Sequence, residues 1–143
     1  MKVLELRPND ATALNNIGNL HVDRGELDDA KSYFESALDV SPHYGPALNN
    51  LGNVLKIMGD FERAADVLSE AVEQSEVNAE AYWNLASVKR FDDGAPEIEQ
   101  MERKLAQDHL AAPERMLIGF ALGKAYDDVG DADRAFMHLS TAN

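Results

Sequence analysis

Cysteine is absent from the 143-residue sequence, which excludes disulfide bridges, thiolate nucleophiles and cysteine-based metal sites. Basic residues are scarce: 13 lysines and arginines stand against 26 aspartates and glutamates, and the net charge is −13. Because phosphate groups and anionic lipids are bound by clustered Lys and Arg, this balance argues against a nucleic acid or a membrane surface as partner. The more ordinary role of such charge is to keep the protein soluble.

Long apolar runs are missing as well. None approaches the roughly 18 residues of a membrane-spanning helix, and the apolar stretch within residues 1–8 is too short for a signal peptide. We therefore expect a cytoplasmic protein. The four histidines are scattered, without an HExxH motif or a His–carboxylate pair at ligand spacing, and no glycine-rich phosphate loop is present. We expect no catalytic residue, metal site, cofactor or enzymatic activity in this chain.

A 34-residue period is the strongest positive feature of the sequence. Asparagine recurs at this step at Asn16, Asn50 and Asn84. The apolar and small positions that keep the same step are Leu14, Leu48 and Tyr82; Ile17, Leu51 and Leu85; Gly18, Gly52 and Ala86; Ala30 and Ala64; Phe34 and Leu68; Ala37 and Ala71. A unit with one apolar face cannot bury that face alone and must stack on copies of itself. The period predicts a helix–turn–helix repeat that serves as an interaction scaffold.

These recurring residues resemble the tetratricopeptide-repeat signature. The resemblance implies an all-α fold, a right-handed superhelix (α-solenoid) of antiparallel helix pairs. We expect one domain over residues 1–143, with repeat one at 11–44, repeat two at 45–78, an irregular repeat three at 79–112, a truncated repeat four at 113–143, and residues 1–10 ending a preceding repeat. Open-ended repeats expose apolar edges, so we also expect end-to-end self-association through residues 1–8 or the last helix.

Apolar spacing and turn residues predict eight helices after the first segment. Their expected ranges are 11–24, 27–40, 45–58, 61–74, 79–91, 96–110, 114–129 and 132–142. Gly25, Gly59 and Gly130 lie where a first helix must end and the chain must turn. Lys89 stands where a core aromatic is usual, and repeat four follows a slip of three residues. Residues 92–115 are irregular, and we interpret them as an elongated or re-angled second helix of repeat three or, alternatively, as a functional hinge.

First helices line the inner face of the superhelix in the family, and the resemblance places a peptide-binding groove there. By position, the groove residues are Asn15, Asn16, Asn19, Asn49, Asn50, Asn53, Lys56, Trp83, Asn84, Ser87, Arg90, Phe120 and Lys124. An asparagine amide both donates and accepts, so the ladder of Asn16, Asn50 and Asn84 suits a peptide backbone. The alternative is that these amides bond neighbouring helices or water. Trp83 and Phe120 are either aromatic anchors or inter-repeat packing, and the three cations are either a positive stripe or solvated charges.

The predicted function is a scaffold that binds a protein or an extended peptide. One narrower resemblance supports an alternative. Residues 120–143, with their FALGKA and DRAF segments, look like the last repeat before the catalytic domain of bacterial repeat-containing sulfotransferases. That likeness implies a substrate-recruiting N-terminal domain of a larger enzyme, whose catalytic domain lies outside this sequence.

Overall fold

The computed structural model describes residues 10–74 and 79–142, and within them it contains eight α-helices and no strand. The helices are α1 (Ala11–Asp23), α2 (Leu27–Val40), α3 (Gly45–Met58), α4 (Phe61–Glu73), α5 (Ala79–Val88), α6 (Pro96–Leu105), α7 (Ala112–Asp128) and α8 (Ala132–Ala142). The predicted all-α architecture is confirmed. Predictions for residues 1–9 and 75–78, including the end of a preceding repeat and the stacking edge at residues 1–8, lie outside the described residues.

The chain divides into two compact units, Met1–Val77 and Asn78–Asn143. In the first unit, α1 pairs with α2, α3 pairs with α4, and α2 also packs against α3. In the second unit, α7 pairs with α8, and both α5 and α6 pack on α7. The predicted repeats one, two and four therefore each contain a pair of packed helices. In repeat three, α5 and α6 instead both pack against α7.

Each hairpin is closed by a bulky residue that packs against a glycine. Phe34 of α2 and Leu68 of α4 are fully buried. A Cβ atom added to Gly18 would overlap the Phe34 ring, and one added to Gly52 would overlap the Leu68 side chain. The recurrence of a small and a large residue at the 34-residue step thus reflects a close approach of the paired helices, at which only hydrogen fits on the first helix.

The turns between paired helices follow the expected chemistry. Gly25, Gly59 and Gly130 adopt φ values of +74°, +90° and +84°, a left-handed conformation that other residues rarely enter. The next helix is capped in two cases, because Asp60 and Asp131 each accept a hydrogen bond from a backbone N–H three residues later. The hairpin geometry is thus encoded locally.

The irregular segment departs from the predicted boundaries. α5 ends at Val88 and not at 91, because the Phe91 N–H donates to the Asp128 carboxylate (3.0 Å). α6 ends at Leu105 and not at 110, and the Arg115 guanidinium donates to the Leu105 carbonyl (2.8 Å) there. α7 starts at Ala112, two residues earlier than predicted, with Pro113 in its first turn, where the missing N–H costs no hydrogen bond.

Candidate functional site

The predicted groove residues of the first unit lie on α1 and α3, and one hydrogen bond joins the two helices. Asn50 Nδ2 donates to Asn15 Oδ1 over 2.9 Å. Asn15 and Asn49 are both buried, which places them between helices and not on an open surface. For Asn50, the structure therefore shows the neighbour-bonding role that was the alternative to peptide contact.

A second set of asparagines in this unit is open to solvent. Asn16 and Asn19 of α1 are exposed, and Asn53 of α3 is half-buried. Their side chains meet no hydrogen-bonding partner within residues 10–74 and 79–142. Residues three apart lie on the same side of a helix, so Asn16 and Asn19 face one way, as do Asn50 and Asn53. We call these four residues the amide face. Lys56, also predicted here, is half-buried and already engaged in a contact.

The three members of the predicted asparagine ladder do not share one environment. Asn16 is exposed, Asn50 is half-buried, and Asn84 in the second unit is only 4% exposed. Ser87, one turn later on α5, donates its hydroxyl to the Asn84 carbonyl over 2.7 Å. The three asparagines recur at one sequence spacing, but their side chains differ in how far they are exposed to solvent.

In the second unit, the predicted groove residues form an aromatic pair. The ring centroids of Trp83 on α5 and Phe120 on α7 lie 6.1 Å apart with planes tilted by 57°, within the distance at which aromatic rings attract each other. Trp83 is still 36% exposed. The pair therefore packs between helices and also leaves aromatic surface open. Trp83 follows Asn15 and Asn49 on the 34-residue step, so the second unit has an aromatic side chain where the first has buried amides.

The predicted cations do not form a uniform stripe. Lys124 Nζ contacts the Asp128 carboxylate (2.5 Å) and the backbone carbonyl of Lys89, which ties α7 to the end of α5. It also lies 5.5 Å from the centre of the Phe91 ring. Arg90 is exposed and makes no hydrogen bond or ion pair with any other described residue. Lys124 thus has a structural role, and Arg90 is the cation that remains open to a ligand.

A partly buried ion pair accounts for the unusual lysine of repeat three. Lys89 Nζ lies 2.5 Å from Glu97 Oε2. Glu97 is only 6% exposed, and its Oε1 has no hydrogen-bond partner among the described residues. Burial, and then the negative charge of Glu97, raise the pKa of Tyr82 above 10.0. The sequence signal for this pair was the lysine at a core position, but its carboxylate partner follows no spacing rule.

A cavity of about 890 Å³ lies in the second unit between α6 and the α7–α8 turn. The Tyr126 hydroxyl at its wall donates to Glu102 Oε1 (2.7 Å), and burial together with this bond raises the pKa of Tyr126. His138 Nε2 is 3.2 Å from the same oxygen, and its ring stacks on Tyr126. The sequence analysis did not predict this cluster, because the three-residue slip before repeat four moves Tyr126 and His138 off the 34-residue spacing.

One histidine cluster also went unrecognised in the sequence. His21 Nδ1 lies 3.1 Å from Glu26 Oε1, and the His21 ring stacks on Tyr33 with centroids 5.2 Å apart. Asp29 lies nearby, and one ligand atom from each of His21, Glu26 and Asp29 falls within 4.8 Å of the others. The His21 ring thus packs on Tyr33, while its Nδ1 faces the Glu26 carboxylate.

Comparison with known proteins supports the fold. Residues 9–76 match the family model described as tetratricopeptide repeat. The crystal structure of MamA superimposes on this chain with a TM-score of 0.69, and the two sequences are 26% identical. The match covers 99% of this chain and 81% of the MamA chain. The fragment MamA 41-end from Desulfovibrio magneticus RS-1 is 25% identical with a TM-score of 0.63, covering 94% and 74%.

A third structure is similar in fold alone. YrrB, described as a TPR protein with an unusual peptide-binding site, is 20% identical with a TM-score of 0.62, and the match covers 99% of this chain and 80% of that one. No curated protein matches this chain. The predicted fold class, an all-α tetratricopeptide-repeat solenoid, is confirmed by these structural matches. Within the described part of the chain, no helix combines the length and apolar character needed to cross a bilayer.

Proposed function

We propose that this chain is a scaffold that binds an extended peptide segment of a partner protein along its first helices. The observation that carries the proposal is the open amide face of the first unit. Three of its four side chains, Asn16, Asn19 and Asn53, meet no hydrogen-bonding partner in the described residues, although they lie on two helices joined by the Asn50–Asn15 bond. An amide offers a donor and an acceptor at once, as a peptide backbone does.

The Asn50–Asn15 bond has a defined part in this proposal. It uses one of the two N–H donors of Asn50 and fixes the orientation of that amide. Each neutral hydrogen bond contributes only about 0.5–1.5 kcal/mol, so affinity depends on several amides that are already positioned. The structural bond therefore prepares the surface for binding.

The second unit supplies a different kind of contact. The Trp83–Phe120 pair leaves aromatic surface exposed on α5, where an apolar side chain of a partner can pack. Arg90, two residues beyond the end of α5, offers an unengaged positive charge for a carboxylate. We propose that the first unit binds backbone and the second unit reads a side chain.

The charge of the chain favours a protein partner over a nucleic acid, since 26 acidic residues outnumber 13 basic ones. The cytoplasmic location, the lack of enzymatic activity and end-to-end self-association stay predictions. The alternative of a recruiting domain for a sulfotransferase rests on residues 120–143 alone, and none of the similar structures named above supports it.

The test begins with selection of binding peptides from an array of extended sequences. A variant with Asn16→Ala, Asn19→Ala and Asn53→Ala should then bind the selected peptide about 1.5–4.5 kcal/mol more weakly, if the three bonds add. Ser32→Ala, which changes an exposed hydroxyl on α2, is the control and should bind as the parent does. Circular dichroism checks the fold. Unchanged affinity in the folded triple variant would refute the amide face as a ligand site.

A further inference from the structure

The turn between α1 and α2 brings three metal-ligating side chains together. His21 lies near the end of α1, Glu26 lies in the turn, and Asp29 lies in the first turn of α2. One ligand atom from each falls within 4.8 Å of the other two. The positive φ of Gly25 (+74°) and the hydrogen bond from the Glu26 N–H to the His21 carbonyl (2.9 Å) hold the chain in this turn. The cluster is thus set by the backbone.

The His21 ring is fixed before any ligand arrives. It stacks on Tyr33 with a 13° angle between the planes, and its side chain is only 20% exposed. Nδ1 points toward Glu26 at 3.1 Å. A ring held on one face, with a nitrogen directed at carboxylates, loses little side-chain freedom when it binds a ligand.

Glu26 does not have the usual role of an acidic residue before a helix. It is the N-cap residue of α2, yet its side chain makes no capping hydrogen bond. The equivalent residues one and three repeats later, Asp60 and Asp131, do accept bonds from the backbone of the helix that follows. The Glu26 carboxylate has instead turned toward His21, so helix capping does not explain its position.

Two of the other repeats carry a cation at the position equivalent to Asp29. These cations are Arg63 in repeat two and Arg134 in repeat four. Arg134 Nε lies 3.5 Å from Asp131, and its guanidinium lies over the Tyr126 ring. Repeat one has a carboxylate in place of this arginine, and Asp29 forms no ion pair with any other described residue. Repeat four thus has a positive charge beside the carboxylate of its turn, and repeat one lacks such a charge.

We propose that His21, Glu26 and Asp29 bind a divalent transition-metal ion of the zinc class. One imidazole nitrogen with two carboxylate oxygens is a ligand set for Zn²⁺ or Co²⁺, whereas Mg²⁺ and Ca²⁺ take oxygen ligands in larger number. A tetrahedral site needs ligand atoms roughly 3.3 Å apart, given metal–ligand bonds of about 2.0–2.2 Å. Glu26 and Asp29 are exposed, so their side chains can rotate to reach that spacing.

The test titrates tag-free protein, first treated with a chelator, with ZnCl₂ at neutral pH by calorimetry. The parent should bind one equivalent. His21→Ala and Asp29→Asn should each weaken binding at least about tenfold, since even outer-shell changes cost metal sites 10–100-fold. His43→Ala and Asp28→Asn, which alter an exposed histidine and the exposed neighbour of Asp29, are matched controls and should leave affinity unchanged.

Two outcomes would overturn the proposal: no binding by the parent at millimolar Zn²⁺, or binding that His21→Ala and Asp29→Asn do not weaken. Circular dichroism reports whether His21→Ala still folds, because that side chain also packs on Tyr33. If it does not fold, the comparison of Asp29→Asn with Asp28→Asn decides, since both aspartates are exposed. A Zn²⁺-dependent shift of the His21 ring nitrogens in NMR spectra would identify the ligand directly.

Discussion

The contact between Phe34 and Gly18 should dominate the stability of the first hairpin. Phe34 is fully buried, so Phe34→Ala should lower the free energy of unfolding by about 3–5 kcal/mol through lost transfer energy and the cavity that remains. Gly18 lies directly against the Phe34 ring. A methyl group at residue 18 would overlap the Phe34 ring, so Gly18→Ala alone is an overpacking change.

The expected coupling between these two residues follows from opposing terms. Overpacking costs about 1–3 kcal/mol, while alanine in place of glycine within a helix gains about 1 kcal/mol. Gly18→Ala should therefore cost about 0–2 kcal/mol in the parent. In the Phe34→Ala background the overlap is gone, and the same methyl should gain about 1–2 kcal/mol by helix propensity and partial filling of the cavity. In a double-mutant cycle of Gly18→Ala and Phe34→Ala, the double variant should therefore be about 2 kcal/mol more stable than the sum of the single effects predicts.

Urea denaturation followed by far-ultraviolet circular dichroism measures these free energies. The only tryptophan, Trp83, lies in the second unit, so its fluorescence shows whether that unit is unaffected. Gly52→Ala is the control, because a methyl there meets Leu68, and its effect should add to that of Phe34→Ala within about 0.5 kcal/mol. A loss below about 1 kcal/mol for Phe34→Ala, or additive effects at residues 18 and 34, would refute this account of the hairpin.

Two further predictions concern polar groups buried in the second unit. Lys89→Met removes the cation beside buried Glu97 and should destabilise this unit by about 1–3 kcal/mol, a range already discounted for the partial exposure of Lys89. Adding Glu97→Gln should restore part of that loss. Urea denaturation followed by Trp83 fluorescence measures both variants, and a change under about 0.5 kcal/mol would contradict the role of the pair. Tyr82 and Tyr126 should ionise above the ordinary pKa of 10.0 in a spectrophotometric titration. Because the folded state holds these two protons more tightly than the unfolded state, their contribution to stability is complete below pH 10.0 and is lost as the pH rises through the raised pKa values. Tyr82→Phe and Tyr126→Phe should therefore make the free energy of unfolding fall less steeply at alkaline pH.

The candidate groove shows how far position in a repeat predicts the surroundings of a side chain. Trp83 and Phe120, which occupy equivalent positions on successive first helices, lie side by side. The repeat register did not separate Asn16, which is exposed, from Asn84, which is buried. Register states which side of a helix a residue occupies, whereas exposure depends on how closely the next helix approaches.

Much of the fold was decided by the sequence alone. The 34-residue period, the turn glycines and the alternation of small and large apolar residues predicted the helices of repeats one and two almost to the residue, because helix ends and apolar faces depend on neighbours a few positions away. Tertiary structure decided the polar partnerships. The bonds of Asn50 to Asn15 and of Lys124 to Lys89 each span 35 positions, whereas those of Lys124 to Asp128 and of Lys89 to Glu97 span four and eight. Since a hydrogen bond or ion pair requires a fit of a few tenths of an ångström, only the packed helices determine which polar side chains meet and which remain open to a ligand.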